Sequence, residues 1–175
     1  MIPELNPRQR AWVEVSPAAI RANARALCQH LGARTQLMAV VKADGYGHGA
    51  ETVARAALQG GATSLGVATL EEGLELRRAG LEAPVLLLSN LNEPDDLRTC
   101  LHWRLMPTLS SLRDAQLCNA LAADSGRCFD VQLKIDTGMA RLGCSLSEGN
   151  QIAAELKSLE HLNLEGIYSH LACAD

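Results

Sequence analysis

A single lysine, Lys42, stands between an apolar run and a glycine-rich turn. The run, residues 37–41, holds five apolar residues and predicts a strand buried on both faces, as in a parallel sheet covered by helices. Three glycines alternate with two polar rings in the turn that follows: Gly45, Tyr46, Gly47, His48 and Gly49. A lysine at a strand end either extends its ammonium into water or uses its amine as a nucleophile. Because the glycines let a ligand approach the backbone closely, the turn favours a Schiff-base site at Lys42.

A second stretch, residues 134–143, carries a basic residue on a loop that follows a strand. Arg141 is the candidate here, because a guanidinium offers two parallel hydrogen bonds to a carboxylate and the glycines of the loop let it bend. The alternative is a surface loop with a solvated arginine. Asp136 and Thr137 are expected to have structural roles, as caps or in an Asx-type turn.

The third stretch, residues 166–170, is an extended run that ends in an imidazole, His170. A histidine at a strand end is either a hydrogen-bonded structural residue or a group that contacts a ligand. In a parallel barrel the carboxyl ends of the strands lie on one face, where active sites are built. We therefore expect Lys42, Arg141 and His170 to share one site.

Strand and helix patterns alternate along the chain. Apolar runs predict strands at 12–15, 37–41, 64–67, 85–88, 105–109, 129–135 and 162–169. Amphipathic spacing predicts helices at 17–31, 50–59 and 70–78, after Pro94, at 111–123, and after the loop 136–147 to about 159. Ser16 and Thr69 are predicted helix caps, and Glu72 would complete a capping box with Thr69.

The repeated strand-helix units predict an α/β fold with a parallel sheet. Without the strand at 12–15, six barrel-type strands remain. An open doubly wound sheet can use six strands, whereas a (β/α)8 TIM-type barrel needs eight and typically about 250 residues. We therefore expect one domain over residues 1–175, with no linker, and if it is a barrel, an incomplete one of about six parallel strands.

Composition excludes several classes of partner. The 175 residues are 47% hydrophobic and 21% charged with a net charge of −4, so the chain can bury a core but shows no basic footprint for nucleic acid or an anionic membrane. The amino terminus lacks the apolar core of a signal peptide, and no apolar run is long enough to span a membrane. The sequence therefore predicts a cytoplasmic protein.

Six scattered cysteines form no CxxC pair and no Cys/His cluster of zinc-ligand spacing. This arrangement is typical of free buried thiols in a reducing compartment. We expect no metal site.

Three motifs resemble, in order and spacing, those of the bacterial alanine racemase family. They are residues 41–49 (VKADGYGHG), 136–143 (DTGMARLG) and 165–170 (EGIYSH). The resemblance runs from residue 12 to Asp175 and covers only the front half of the family's chain. It departs from the family at Asp44, where asparagine is frequent.

The resemblance implies a pyridoxal 5'-phosphate enzyme. Lys42 would hold the cofactor as a Schiff base and act as the base on one face of the substrate Cα. Tyr46 would bond the cofactor phosphate, and His170 would pack against its pyridine ring. Arg141 would hold the phenolic oxygen of the cofactor and steer the substrate carboxylate, with Met139 beside the substrate. Lys134 matches a lysine that is carbamylated in some members and positions that arginine; the alternative is an unmodified, solvated lysine.

The family's reaction is the interconversion of L-alanine and D-alanine, which supplies D-alanine for peptidoglycan. Its second base is a tyrosine from the carboxyl-terminal β domain of the partner subunit in a homodimer. The sequence lacks that domain and has no residue for that role, so the isolated chain is expected to be incomplete for turnover. The alternatives are a non-racemising pyridoxal-phosphate barrel protein, of decarboxylase or cofactor-homeostasis type, and a catalytically inactive fragment.

Overall fold

The computed structural model describes residues 12–173, in which strands and helices alternate. The strands are β1 (Met38–Val40), β2 (Ser64–Val67), β3 (Val85–Leu87), β4 (Thr108–Leu109), β5 (Phe129–Ile135) and β6 (Leu162–Ser169). The helices are α1 (Pro17–Leu31), α2 (Lys42–Gly47), α3 (Ala50–Gln59), α4 (Leu70–Arg78), α5 (Pro94–His102), α6 (Leu112–Asp124) and α7 (Leu146–Leu156). Helix α2 differs from the others because it is a short left-handed turn.

All six strands run parallel and follow one another in chain order. Ladders join β1 to β2 to β3 and β4 to β5 to β6. The two groups meet at Met106, whose carbonyl accepts from Leu87 N at 2.8 Å and whose N–H donates to Val85 O at 2.8 Å. A doubly wound sheet reverses its strand order, whereas sequential parallel strands are those of a barrel. The prediction of an α/β, incomplete (β/α)8 barrel with six parallel strands is confirmed.

The main core lies between the sheet and the helices. Along β5, alternate side chains point toward the helices and are buried, whereas those between them point to the other face. The residues of the helix-facing side are at most 1% exposed in the central strands: Leu65, Val67, Val85, Leu87, Val131 and Leu133. The opposite face of the sheet is therefore left to carry polar side chains such as Lys134.

Capping residues begin the helices as predicted. The Ser16 hydroxyl accepts from Ala19 N at 3.3 Å, with Pro17 in the first turn of α1. At α4, Thr69 and Glu72 form the predicted capping box. No helix among residues 12–173 combines the length and apolar content needed to cross a membrane.

The predicted strand at 12–15 is wrong. The described part of the chain offers no neighbouring strand to these residues, and Trp12 and Val13 are 69% and 78% exposed. A strand requires a partner for its main-chain hydrogen bonds, so β-propensity alone does not form one here. The apolar face predicted for α1 is likewise covered only in part: Ala24 is buried against α3, but Leu27 is 52% exposed.

The prediction that the strand before Lys42 is buried on both faces is also wrong. Strand β1 pairs only with β2 in the described residues, so it lies at a sheet edge, and Val40 is 40% exposed. Two other boundaries differ from expectation, since β4 has only two residues and α7 ends at Leu156.

The cysteines are free, but not all are buried. Cys100, Cys118 and Cys144 lie in the core, where burial raises the pKa of Cys118 to about 12 and keeps it a thiol. Cys128 and Cys173 are exposed, which corrects the expectation of buried thiols throughout. Residues 12–173 contain no group of three or more His, Cys, Asp or Glu that could hold a metal ion.

Arg77 allows a test of how the end of α4 is attached to the connections that lead into β3 and β4. Its guanidinium donates to four carbonyl oxygens at 2.6–2.9 Å, those of Leu81, Ala83, Trp103 and Arg104. We expect Arg77→Ala to lower the free energy of unfolding by about 2–4 kcal/mol, because four acceptors lose their donor at once. Urea denaturation measures this.

The matched control is the neighbouring exposed residue, Arg78→Ala, which is expected to change the free energy of unfolding by about 0.5 kcal/mol or less. Equal losses in the two variants would contradict the role given to Arg77.

Candidate active site

A cavity of about 360 Å³ lies at the carboxyl ends of β1, β5 and β6. Five of the six residues predicted for the site line it: Lys42, Tyr46, Lys134, Arg141 and His170. Its apolar wall is formed by Met38 and Val40 of β1 with Leu86 and Leu88 of the β3 region. The three strand ends therefore meet as the parallel order requires.

Met139 is not among the residues that line this cavity; it is half-buried on the loop that carries Arg141. The structure thus does not bring Met139 together with the other five. Its place at the substrate stays a prediction.

The backbone after Lys42 is left-handed over four consecutive residues. Ala43, Asp44, Gly45 and Tyr46 have φ of 49°, 52°, 62° and 56° and ψ of 51°, 47°, 36° and 40°. Glycine adopts these angles freely, whereas any other residue with these angles destabilises the folded backbone by about 1–2 kcal/mol. The turn therefore forms only where its surroundings compensate for that cost.

Side chains of the turn itself supply part of the compensation. Asp44 Oδ1 accepts from Ala50 N at 2.7 Å and so caps helix α3, where a negative charge is favoured. The Nδ1–H of His48 donates to the carbonyl oxygens of Gly45 and Tyr46, each at 3.0 Å. Asp44, where the family often has asparagine, is thus a working cap in this chain.

Lys42, two residues beyond the end of β1, therefore lies at the edge of the cavity. Its Nζ lies 6.0 Å from the centroid of the Tyr46 ring, and Tyr46 is 59% exposed. A lysine amine beside an accessible aromatic ring and next to a cavity is available to a ligand.

The loop of Arg141 is shaped by Asp136, as predicted for an Asx-type turn. Asp136 Oδ1 accepts from Gly138 N at 3.0 Å and Ala140 N at 3.1 Å, and these backbone donors lower the pKa of its carboxyl group. The chain then returns to β5, where Asp136 N donates to Cys144 O at 2.8 Å. The loop is thereby closed at its base and projects Arg141 to the cavity.

Lys134 is the only lysine of the chain that is buried among residues 12–173, with 7% exposure. Burial, and after it the charges of Arg141 and Lys42, lowers the pKa of Lys134, while Asp136 opposes this. Its Nζ lies 5.6 Å from the centroid of the Tyr168 ring. The solvated alternative considered for Lys134 does not hold.

The sequence reasoning gave no role to Tyr168, which also lines the cavity. Tyr168 is paired with Lys134 in the β5–β6 ladder, and its hydroxyl lies 2.7 Å from Thr108 Oγ1. Because Thr108 Oγ1 donates to Leu87 O at 2.7 Å, the phenol must be the donor in this pair. The sequence could have indicated this position, because Tyr168 stands two residues before His170 and side chains two residues apart on a strand point to the same side.

Chemically, the cavity combines three basic side chains with an apolar wall. Lys42 and Arg141 attract an anionic ligand, while Met38 and Val40 suit the face of a flat ring. The two salt bridges of residues 12–173, Glu51–Arg55 and Asp95–Arg98, lie on helix surfaces and engage none of these cations. The site can therefore hold a planar anion next to a nucleophilic amine.

The fold and the site define a class, a (β/α)-barrel protein with a lysine at the end of its first barrel strand and a cationic cavity beside it. Residues 15–175 match the family model described as alanine racemase, N-terminal domain. The chain belongs to the alanine racemase family.

Relatives of known sequence support this membership. The chain is 59% identical over 172 residues to the alanine racemase of Prochlorococcus marinus, and 51% identical over 168 residues to that of Synechocystis sp.. The alignments cover 98% and 96% of this chain but 45% of each relative. The chain therefore spans less than half the length of these curated relatives.

Solved structures agree with the sequence comparison. The chain is similar to the alanine racemase of E. faecalis with a TM-score of 0.84 and 36% identity, over 90% of this chain and 43% of that one. It is also similar to the alanine racemase of Bacillus anthracis with bound L-Ala-P, with a TM-score of 0.83 and 34% identity, over 94% and 42% of the two chains.

Two glycines test the left-handed turn. A Cβ at Gly45 would lie 2.8 Å from Val53 Cγ2, whereas a Cβ at Gly47 would meet nothing within 4 Å. Both have positive φ, so each alanine variant is expected to lose about 1–2 kcal/mol of unfolding free energy. Gly45→Ala is expected to lose about 1–3 kcal/mol more through overpacking. Urea denaturation of both variants measures the difference.

The control is the double variant Gly45→Ala/Val53→Ala, in which the methyl group that would collide with the new Cβ is absent. Compared with Val53→Ala alone, the double variant should lose only the cost of the positive φ and not the additional overpacking energy. A Gly45→Ala protein as stable as Gly47→Ala would contradict the geometry of the turn.

Proposed function

We propose that residues 1–175 form part of a pyridoxal 5'-phosphate-binding barrel domain, and that the full protein is an alanine racemase that interconverts L-alanine and D-alanine. The observation that carries the proposal is Lys42 at the edge of a cavity that Lys134 and Arg141 also line. The family membership of residues 15–175 supports the same reading. Such an activity in the cytoplasm would supply D-alanine for peptidoglycan.

The residues of the cavity fit this cofactor. The amine of Lys42 would hold the cofactor through its aldehyde, and the wall formed by Met38 and Val40 would face its planar ring. Tyr46 is assigned to the phosphate, His170 to the pyridine ring and Arg141 to the phenolic oxygen. When bound, the cofactor supplies an electron sink for the substrate Cα.

Two side chains act on the substrate. Arg141 is exposed on its loop and offers a two-pronged donor set that steers the alanine carboxylate. The amine of Lys42 would serve as the base that removes or returns the proton on one face of the substrate Cα. Met139 on the same loop is assigned to the substrate side of the site.

Lys134 is proposed to carry a carbamate. An unprotonated amine and CO2 give a carbamate and one proton, and the lowered pKa of Lys134 enlarges the unprotonated fraction. The resulting negative charge would pair with the guanidinium of Arg141 and hold it in position.

Racemisation also needs a base on the opposite face of Cα. The chain has two tyrosines, Tyr46 and Tyr168, and neither is assigned that role. Burial raises the pKa of Tyr168, and its hydroxyl donates to Thr108, so it is held as a phenol. We propose that the second base comes from the partner subunit of a homodimer.

The cofactor assignment can be tested on three lysines, because the chain contains only Lys42, Lys134 and Lys157. We expect pyridoxal phosphate followed by borohydride to mark Lys42 at least tenfold more than exposed Lys157. The cavity beside Lys42 also holds Arg141, which attracts the anionic cofactor, whereas the groove beside Lys157 is lined by Glu160 and Glu165, which repel it. Peptide mass spectrometry locates the mark.

Lys42→Ala should remove the mark and Lys157→Gln should leave it unchanged. A principal mark at Lys134 or Lys157 in the unaltered chain would refute the assignment.

The reaction class is tested with alanine in deuterated water. Because this chain supplies one base, the 175-residue protein loaded with the cofactor is expected to exchange the Cα proton of one enantiomer without inverting it. Proton NMR measures exchange, and chiral chromatography measures inversion. Full racemisation by this chain would overturn the partner-base proposal, whereas release of CO2 without exchange would indicate a decarboxylase instead.

The carbamate is tested with 13C-bicarbonate. We expect a carbamate resonance that grows as pH rises through the lowered pKa of Lys134, because only the unprotonated amine reacts. It should disappear in Lys134→Gln and persist in Lys157→Gln, as measured by carbon NMR at equilibrium. A resonance that survives Lys134→Gln would contradict the proposal.

A further inference from the structure

Glu72 makes more contacts than its capping box requires. Its Oε2 accepts from Ala68 N at 2.6 Å and Thr69 N at 3.2 Å, which completes the cap of α4. Its Oε1 accepts from Ala43 N at 2.7 Å. One carboxylate oxygen therefore serves its own helix, and the other bonds the residue next to Lys42, 29 positions earlier in the chain.

The contact falls at the start of the left-handed turn. Ala43 is the first residue with positive φ, and the peptide that carries its N–H also contains the carbonyl of Lys42. Holding that peptide in one plane limits the direction in which the Lys42 side chain leaves the backbone. A hydrogen bond to a carboxylate is roughly twice as strong as one between neutral groups, so it suits a strained position.

Glu72 is not part of the cavity wall itself. The residues that line the cavity include Lys42 but not Glu72. Any influence of Glu72 on the chemistry must therefore pass through the backbone at Ala43.

We propose that Glu72 is the positioning residue of Lys42: its Oε1 fixes the Lys42–Ala43 peptide so that the amine faces the cavity. The proposal rests on the proposed function of Lys42 as the cofactor lysine. Glu72 lies outside the three sequence motifs, so the proposal adds a further residue to those that form the site.

The test variant is Glu72→Gln, which keeps the size of the side chain but has one acceptor oxygen for two sets of donors. With pyridoxal phosphate and borohydride, we expect the marking rate at Lys42 to fall about tenfold or more. Marking at Lys157 provides the internal reference. Glu71→Gln, an exposed neighbour in the same helical turn, removes the same charge and is expected to mark Lys42 at the normal rate.

A second control separates the cap of α4 from the positioning role. The Thr69 hydroxyl accepts from Glu72 N at 3.3 Å and does not touch the Lys42 turn, so Thr69→Ala weakens the cap alone. It should leave the marking rate of Lys42 near normal. If Thr69→Ala slows marking as much as Glu72→Gln, the proposal is overturned.

A cofactor-independent readout is hydrogen exchange at the Ala43 amide, measured by NMR. We expect Glu72→Gln to speed exchange there about tenfold or more, with little change in Glu71→Gln. If Glu72→Gln does not fold, Glu72→Asp, which retains the charge but is one methylene shorter, takes its place with the same expectations.

The outcomes distinguish this proposal from the proposed function. Unmarked Lys42 in the unaltered chain would refute the proposed function, and this inference with it, while unchanged exchange at Ala43 would refute the Glu72 contact alone. Marking of Lys42 at the normal rate in both Glu72→Gln and Glu72→Asp would overturn the positioning role.

Discussion

The left-handed turn after Lys42 is the constraint on which the site depends. Three of its four residues, Ala43, Asp44 and Tyr46, are not glycine, so its intrinsic cost is about 3–6 kcal/mol. The compensation comes from both sides of the turn: Asp44 caps the following helix, and Glu72 reaches in from the next strand-helix unit. A turn that local backbone sterics disfavour is therefore maintained where a reactive amine must leave the sheet at a fixed angle.

The rest of the barrel brings two further strand ends to this turn. Parallel pairing places Lys134 of β5 opposite Tyr168 of β6, so residues 34 positions apart share one side of the cavity. The loop that follows β5 is closed by its own backbone at Asp136 and Cys144, and the Thr137 hydroxyl ties it to the end of β6 through Ser169 Oγ at 2.6 Å. Basic groups thus converge at the site because the strands are parallel and consecutive. Burial, and after it the charges of Arg141 and Lys42, lowers the pKa of Lys134 there.

Local signals predicted most of the fold. Hydrophobic runs located the six barrel strands, and polar residues at the right spacing located the caps at Ser16 and Thr69. The wrong strand at 12–15 had the composition of a strand but no partner. Five of the six predicted site residues line one cavity, because each stands at or beyond a strand end, a position that sequence spacing reveals. The contact of Glu72 with Ala43 and that of Tyr168 with Thr108 were not predictable, since each joins residues 29 or more positions apart through side-chain geometry.

The central claim is that the left-handed turn holds Lys42 against a cofactor in the cavity between β1, β5 and β6. A crystal structure of the chain grown with pyridoxal phosphate tests it most directly. We expect electron density continuous with Lys42 Nζ, the ring against Met38 and Val40, and positive φ at residues 43–46. Cofactor density at another lysine, or a right-handed turn at residues 43–46 beside a bound cofactor, would contradict it.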